Sequence, residues 1–235
     1  MPASSPARSA QRLPSPRALA VIKTLLFLLC LVPVVRLAYG AYTDGLGANP
    51  IEFITHATGD WTLRLLLITL AVTPLRRLTG WHWLVRLRRM LGLYAFFYGT
   101  LHFITYIWLD QFFDVHSIAK DILKRPFITV GFVAFVLMIP LAVTSANRMV
   151  RWLGGRRWQQ LHRSIYVIAL CGVLHYWWLV KRDIREPLMY AVILAVLLGM
   201  RMWWREKERR QQVAGKYAQP VVPRRVRPEQ GPPGA

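Results

Sequence analysis

Carboxylates are scarce in this chain: eleven Asp and Glu stand against thirty-one Lys and Arg across 235 residues. None falls inside the core of a long apolar stretch, so a buried proton relay would lack its acidic half. Cysteine is scarcer still, with only Cys30 and Cys171. Both lie within apolar runs, where a thiol acts as a small hydrophobe, and this speaks against a disulfide or a thiolate metal site. A Gly-rich phosphate loop, an HExxH helix and a nucleophile elbow are all missing, which removes the common chemistries those motifs announce. Gly154-Gly155 reads as part of a tight turn between helices.

What the chain has in abundance is apolar length. Hydrophobic residues make up 54% of it, with a mean hydropathy of +0.30. They come in uninterrupted blocks rather than alternating with polar faces. Six such blocks run over 18–40, 61–75, 89–109, 127–145, 158–180 and 187–204. Most approach the ~20 residues needed to cross ~30 Å of hydrocarbon. The second is short for a crossing and is expected to begin upstream. The expected fold is an all-α integral membrane protein, a six-transmembrane-helix bundle over 18–204. Tails at 1–17 and 205–235, rich in Pro, Arg, Gln and Gly, are expected to be disordered.

A net charge of +20 invites a nucleic-acid reading, so its placement matters. Arg8, Arg12 and Arg17 precede the first block. Arg76, Arg77, Arg86, Arg88 and Arg89 fill the 76–89 loop, and Arg148, Arg151, Arg156 and Arg157 the 146–157 loop, both without an acid. The C-terminal tail is basic as well. The alternate loops hold only Lys120, Lys124, Arg125, Lys181, Arg182 and Arg185, while 41–60 has Asp44, Glu52 and Asp60 and no base. This alternation is the positive-inside pattern with both termini cytoplasmic. Basic residues split among four short segments do not form a nucleic-acid-binding module. The tryptophans, from Trp61 to Trp204, fall at or just outside block ends, as an interfacial belt requires. Arg17, the apolar 24–35 stretch and Ala38-Tyr39-Gly40 imitate a cleavable signal peptide. The first block is nevertheless long enough to span, and it is expected to be a retained helix.

Six histidines remain, and depth separates them. His56, His82 and His116 fall in loops or at interfaces, where solvation suffices. His102 lies about seven residues from the outer end of the third block, ~10 Å below the surface. His175 lies about five residues from the outer end of the fifth. These two blocks run in the same direction, so both imidazoles sit at similar depth on separate helices. An ionisable group in such a place is costly and faces a partner inside the bundle. Two neutral imidazoles across a gap suit six-coordinate haem iron. Structural histidines bonded to a neighbouring helix are the plain alternative, and depth does not decide between the two. His162 is ~19.5 Å from His175 along an ideal axis and turned from it by ~220°. A fourteen-residue spacing would bring two side chains within about 40°. Arg88 and His102 have that spacing, but arginine cannot ligate iron.

At this point a resemblance becomes specific. "GDWTLRLLLITLAVTPLRR" (59–77), "RRMLGLYAFFYGTLHFITYIWLD" (88–110), "KRPFITVGFVAFVLMIPLAVTSAN" (124–147) and "RRWQQLHRSIYVIALCGVLHYWW" (156–178) resemble the haem-binding membrane subunits of bacterial protein-methionine-sulfoxide reductase systems. This MsrQ/YedZ family belongs to the ferric-reductase-like transmembrane superfamily, and the stretches match it in order and loop length. The resemblance implies b-type haem and a ligand role for His102, His162 and His175. Larger superfamily members carry two histidines on each of these helices; the chain departs at Arg88, which puts a complete second bis-histidine site in doubt.

Only about 31 residues follow the sixth block, too few for a doubly wound nucleotide domain, and they contain no GxGxxG. Electrons are therefore expected from another carrier; the resemblance implies quinol, with FMN also bound. Arg76, Arg77 and Arg88 could hold an FMN phosphate, since guanidinium suits bidentate phosphate recognition; topology determination accounts for them equally. Arg36 and Arg64, at about the depth of His102 and His175, could pair with haem propionates or snorkel to the headgroups. By resemblance, the recipient is a soluble periplasmic molybdopterin-dependent reductase acting on methionine sulfoxide in oxidised proteins. The chain would then be a non-catalytic electron-transfer subunit of the inner membrane. Two rivals stand: a stand-alone ferric-reductase-like oxidoreductase acting on an external acceptor, and a transporter with structural histidines.

Overall fold

Local signals place the helix starts. Ser15 Oγ accepts the amide of Ala18, with Pro16 in the first turn, and opens α1 (Pro16–Tyr42). Asn49 Oδ1 accepts the amide of Glu52, again ahead of a proline, and opens α2 (Pro50–Thr79). The upstream start expected for the second block is thus observed. Helix α2 ends at Gly80, whose φ of +74° and N–H to the Arg76 carbonyl (2.9 Å) form a left-handed cap.

The computed structural model describes residues 14–180 and 182–217, which contain helices and no strand. After a short 3₁₀ turn at His82–Leu84 come α3 (Val85–Ile104), continued as a π-helix over Thr105–Asp110, and α4 (Val115–Lys124). Then follow α5 (Pro126–Val143), α6 (Asn147–Leu153), α7 (Gly155–His162), α8 (Ile165–Leu179) and α9 (Arg185–Tyr217). Gly154, at φ +74°, makes the expected tight turn, between α6 and α7.

Two helix pairs build the core. Helix α2 lies against α3, burying Leu63, Leu66 and Leu70 with Leu91, Ala95 and Tyr98. Helix α5 lies against α8, burying Met138 with Ile168 and Ala169. Aromatic rings join the pairs: Phe96 stacks on Phe135 (centroids 6.0 Å, 6° between planes), and Phe103 stacks on the same ring at 4.7 Å.

Helix α1 is held differently. Tyr94 donates its hydroxyl to the Phe27 carbonyl (3.1 Å). The Tyr98 hydroxyl donates to the Cys30 carbonyl (2.7 Å) and accepts from the Val34 amide (3.2 Å). Cys30 and Val34 are bonding partners in an uninterrupted helix, so a phenol from α3 is wedged into the ladder of α1. Pro33, which lacks an N–H, stands beside the wedge.

The expected six crossings are met in part, and other expectations need correction. Four helical stretches are long and apolar enough to cross a membrane among the described residues: Pro16–Tyr42, His82–Asp110, Pro126–Val143 and Arg185–Gly215. Helix α2 is long but carries Glu52, Asp60, Arg64, Arg76 and Arg77, and α8 has only 15 residues. The 158–180 block is not one helix. At Arg163 and Ser164 the backbone keeps right-handed helical dihedrals but tightens to i→i−3 bonds, so the rotation between His162 and His175 departs from that of an ideal axis.

Residues up to Leu197 form one compact unit and those from Leu198 a second. In the second, α9 runs to Tyr217, into the stretch from 205 expected to be disordered. Glu206 there accepts from Arg209 and Arg210 (both 2.8 Å), pairs one turn apart that support a helix. The tail expectations for 1–13 and 218–235 lie outside the described residues.

Candidate haem site

His102 reaches from α3 to α2, where its Nδ1 lies 2.9 Å from the Thr55 carbonyl. His175 reaches from α8 to α5, where its Nδ1 lies 2.7 Å from the Phe127 carbonyl. A carbonyl can only accept, so each Nδ1 carries a proton and donates it. Each neutral ring then keeps its lone pair on Nε2, the state and orientation a metal ligand requires.

The backbone makes room for both rings by the same device. A carbonyl in a helix points along the axis toward residue i+4, so a ring that bonds to it must lie over that residue. Four residues after Thr55 comes Gly59, and four after Phe127 comes Gly131. A Cβ on Gly59 would stand 3.2 Å from the His102 ring; on Gly131 it would stand 2.6 Å from His175 Nδ1. Neither glycine had been singled out from the sequence. Helical glycines are visible there, but which carbonyl each histidine reaches is not.

The two rings face one another with centroids 6.0 Å apart and planes at 78°. A metal–nitrogen bond of about 2 Å, plus roughly 1.1 Å from nitrogen to ring centre, puts two imidazoles on opposite sides of one metal about 6.2 Å apart. Both rings line a cavity of about 680 Å³ between α2, α3, α5 and α8, walled mainly by apolar side chains such as Leu63, Phe103, Phe135 and Met138. That volume is within the roughly 300–1,000 Å³ of cofactor clefts. Pinned tautomers, spacing and volume together fit a planar metal cofactor held from both faces. No cluster of three or more His, Cys, Asp or Glu competes for a metal among the described residues.

His162 is not brought to this pair. It ends α7, stacks on Trp158 (centroids 4.0 Å), and has its Nε2 3.0 Å from Thr144 Oγ1. That hydroxyl donates to the Pro140 carbonyl (2.6 Å), so Nε2 of His162 is the donor here, opposite to the other two rings. Arg88 is its electrostatic neighbour. Neither Arg36 nor Arg64 lines the cavity. Arg36 is exposed. Arg64 donates from Nε to Tyr190 Oη (2.9 Å), lies 3.5 Å from Asp60 and sits over Trp61. Arg76 and Arg77 occupy the last turn of α2, where Arg76 Nε is buried with no acceptor among the described residues. Of the outlying histidines, His56 is exposed at the cavity's edge, while His82 and His116 are exposed elsewhere.

Residues 58–173 match the family of ferric reductase like transmembrane components. A protein of Herminiimonas arsenicoxydans, the protein-methionine-sulfoxide reductase heme-binding subunit MsrQ, is 61% identical over 198 residues, covering 83% of this chain and 91% of its own length. The chain belongs to the MsrQ family. MsrQ of Azospira oryzae is 59% identical over 197 residues, covering 83% of each chain. MsrQ of Ralstonia nicotianae is 58% identical over 212 residues, covering 89% of this chain and 96% of its own. With its apolar helices, this MsrQ family member is a multi-pass membrane protein. The segment matched to the wider ferric-reductase family includes Gly59, His102, Gly131 and His162.

Proposed function

We propose that this chain binds b-type haem between His102 and His175 and carries electrons across the bacterial inner membrane to a periplasmic molybdopterin-dependent methionine sulfoxide reductase. The observation that supports it best is the facing pair of imidazoles, each fixed by a backbone carbonyl with Nε2 left free. The relatives' name, heme-binding subunit of a protein-methionine-sulfoxide reductase, supports haem as the cofactor and methionine sulfoxide reduction as the setting.

Haem, when bound, supplies a one-electron couple. Everything else is done by the chain. Nε2 of His102 and of His175 would hold the iron. The Thr55 and Phe127 carbonyls orient the rings and raise their basicity. The phenylalanine layer at 96, 103 and 135 excludes water and lowers the local dielectric, which tunes a potential. In this reading the chain crosses the membrane six times with both termini cytoplasmic. Helix α2 completes one crossing with its charged ends at the interfaces, and α7 with α8 completes another. His162 serves the electron path from the cytoplasmic side. Arg76, Arg77 and Arg88 face the electron source there, quinol or bound FMN. The orphaned Arg76 Nε suits an anionic group such as the FMN phosphate.

The test is a reduced-minus-oxidised optical spectrum with haem quantification on the full chain and on His102→Ala, His175→Ala and His162→Ala. The first two lose low-spin haem, while the third keeps it and passes electrons more slowly to the periplasmic partner. A colourless, folded protein from haem-replete cells would sink the proposal. Turnover of an external acceptor without that partner would favour a stand-alone reductase.

A further inference from the structure

One polar group beside the cavity is buried and unpartnered among the described residues. Tyr106 lines the cavity, and its hydroxyl oxygen is buried with no hydrogen-bond partner among the described residues. Buried hydroxyls are nearly always satisfied, so an orphan in a cavity marks the place of a missing acceptor. Tyr106 lies four residues after His102, one turn or ~6 Å along the helix. It stands in the π-helical stretch Thr105–Asp110, a wide-turn geometry that recurs at functional sites.

Arg125 also lines the cavity and is an electrostatic neighbour of Tyr106. It comes two residues before Phe127, whose carbonyl fixes His175. A hydrogen-bond donor thus lies close in sequence to each half of the site: Tyr106 four residues after His102, and Arg125 two before Phe127, the anchor of His175. Asp121, Asp110 and Arg125 are the charged neighbours of Tyr106. The acids are already engaged. Asp121 takes Arg125 at 3.3 Å and Gln111 at 3.4 Å, and Asp110 takes Gln111 at 3.0 Å. The Asp121 contact takes up one guanidinium nitrogen of the half-exposed Arg125, and the fork has further donors to offer.

We infer that Tyr106 and Arg125 receive the propionate edge of the porphyrin, a role the sequence had offered to Arg36 and Arg64. The inference rests on the haem reading above. A porphyrin's rim is hydrocarbon except for its two propionates, so these are the acceptors that a ring clasped by His102 and His175 brings to the orphaned phenol. With two carboxylates already nearby, the arginine is what makes the entry of a third tolerable. Loss of its charge must therefore cost more than loss of the phenol.

The experiment compares haem with its dimethyl ester, titrated by absorbance into the haem-free full-length chain in detergent. The intact chain binds haem roughly tenfold or more tightly than the ester, the scale of a hydrogen bond to a charged group. Tyr106→Phe narrows that preference, and Arg125→Gln narrows it further. Arg64→Gln leaves it unchanged. An equal preference in all four proteins overturns the propionate assignment while leaving haem binding intact. A preference lost only in Arg64→Gln returns the role to that residue. Failure of the intact chain to take up either porphyrin refutes the haem reading itself. Tyr106→Phe removes one oxygen from an otherwise unbonded position, so it leaves the thermal stability of the haem-free chain unchanged.

Discussion

Gly131→Ala is the sharpest perturbation the site offers. The added methyl would stand 2.6 Å from Nδ1 of His175, 2.9 Å from Cε1 and 3.1 Å from Cγ, against ordinary contact from 3.4 Å. The ring must withdraw by about 0.8 Å, and its 2.7 Å bond to the Phe127 carbonyl cannot survive that shift. Two routes lead to the same magnitude. Losing a bond that orients a metal ligand typically lowers metal affinity about 10–100-fold. Forcing a methyl into a packed contact costs about 1–3 kcal/mol. The haem-free protein is spared, because an unligated ring can swing into the 680 Å³ cavity. Haem titration of the haem-free chain, followed by absorbance, should therefore show affinity reduced by about 10–100-fold. Thermal unfolding of the same haem-free sample should change little. Unaltered affinity and spectrum in Gly131→Ala would refute the claim that this glycine exists to admit the ring.

Gly59→Ala brings its methyl to 3.2 Å from the His102 ring, a far smaller intrusion, and the same titration should show a several-fold loss at most. The 78° between the imidazole planes predicts a strongly anisotropic low-spin ferric EPR signal, and a rhombic signal of the kind parallel rings give would contradict that geometry. Tyr98→Phe removes two bonds to α1 but lets the Cys30 carbonyl and the Val34 amide close on each other. Thermal stability should fall by only about 1 kcal/mol with the haem spectrum unchanged, and loss of haem would show that the wedge reaches the site. At the start of α4, the Ser117 hydroxyl and the Ser117 and His116 amides bond Asp114 and hold its carboxyl below the ordinary value of 3.8. A depressed carboxyl stabilises the helix above that ordinary value, and the stability is lost as pH falls through the folded one. Amide protection in α4, measured as hydrogen exchange relative to the intrinsic rate at each pH, should fall in that acid window, and Asp114→Ala should abolish the dependence.

The sequence carried the apolar blocks, the shared level of His102 and His175 and the turn at Gly154, because each depends on residue type and distance along the chain. Similar depth suggested that the two imidazoles meet, though it did not separate a facing pair from two structural histidines. What lay beyond reach were facts about neighbours distant in the chain. Thr55 and Phe127 act through carbonyls that any residue possesses, so side-chain identity gives no sign of them. The break after His162 falls at Arg163-Ser164, where no glycine or proline announces it. Arg64 had the right depth for a propionate, but depth says nothing of direction, and its guanidinium is tied to Tyr190 and Asp60. Tyr106 looked like one more aromatic near an interface; only its unbonded oxygen sets it apart.

Each half of the clasp is prefabricated within one helix pair, and the halves meet across the rings of Phe96, Phe103 and Phe135. The jaw opening is thus governed by a layer of hydrocarbon that touches neither imidazole's fastening. Resizing those rings would change the distance between the imidazoles while the carbonyl that fixes each one stays in place, and on the haem reading proposed above that trades redox poise against retention.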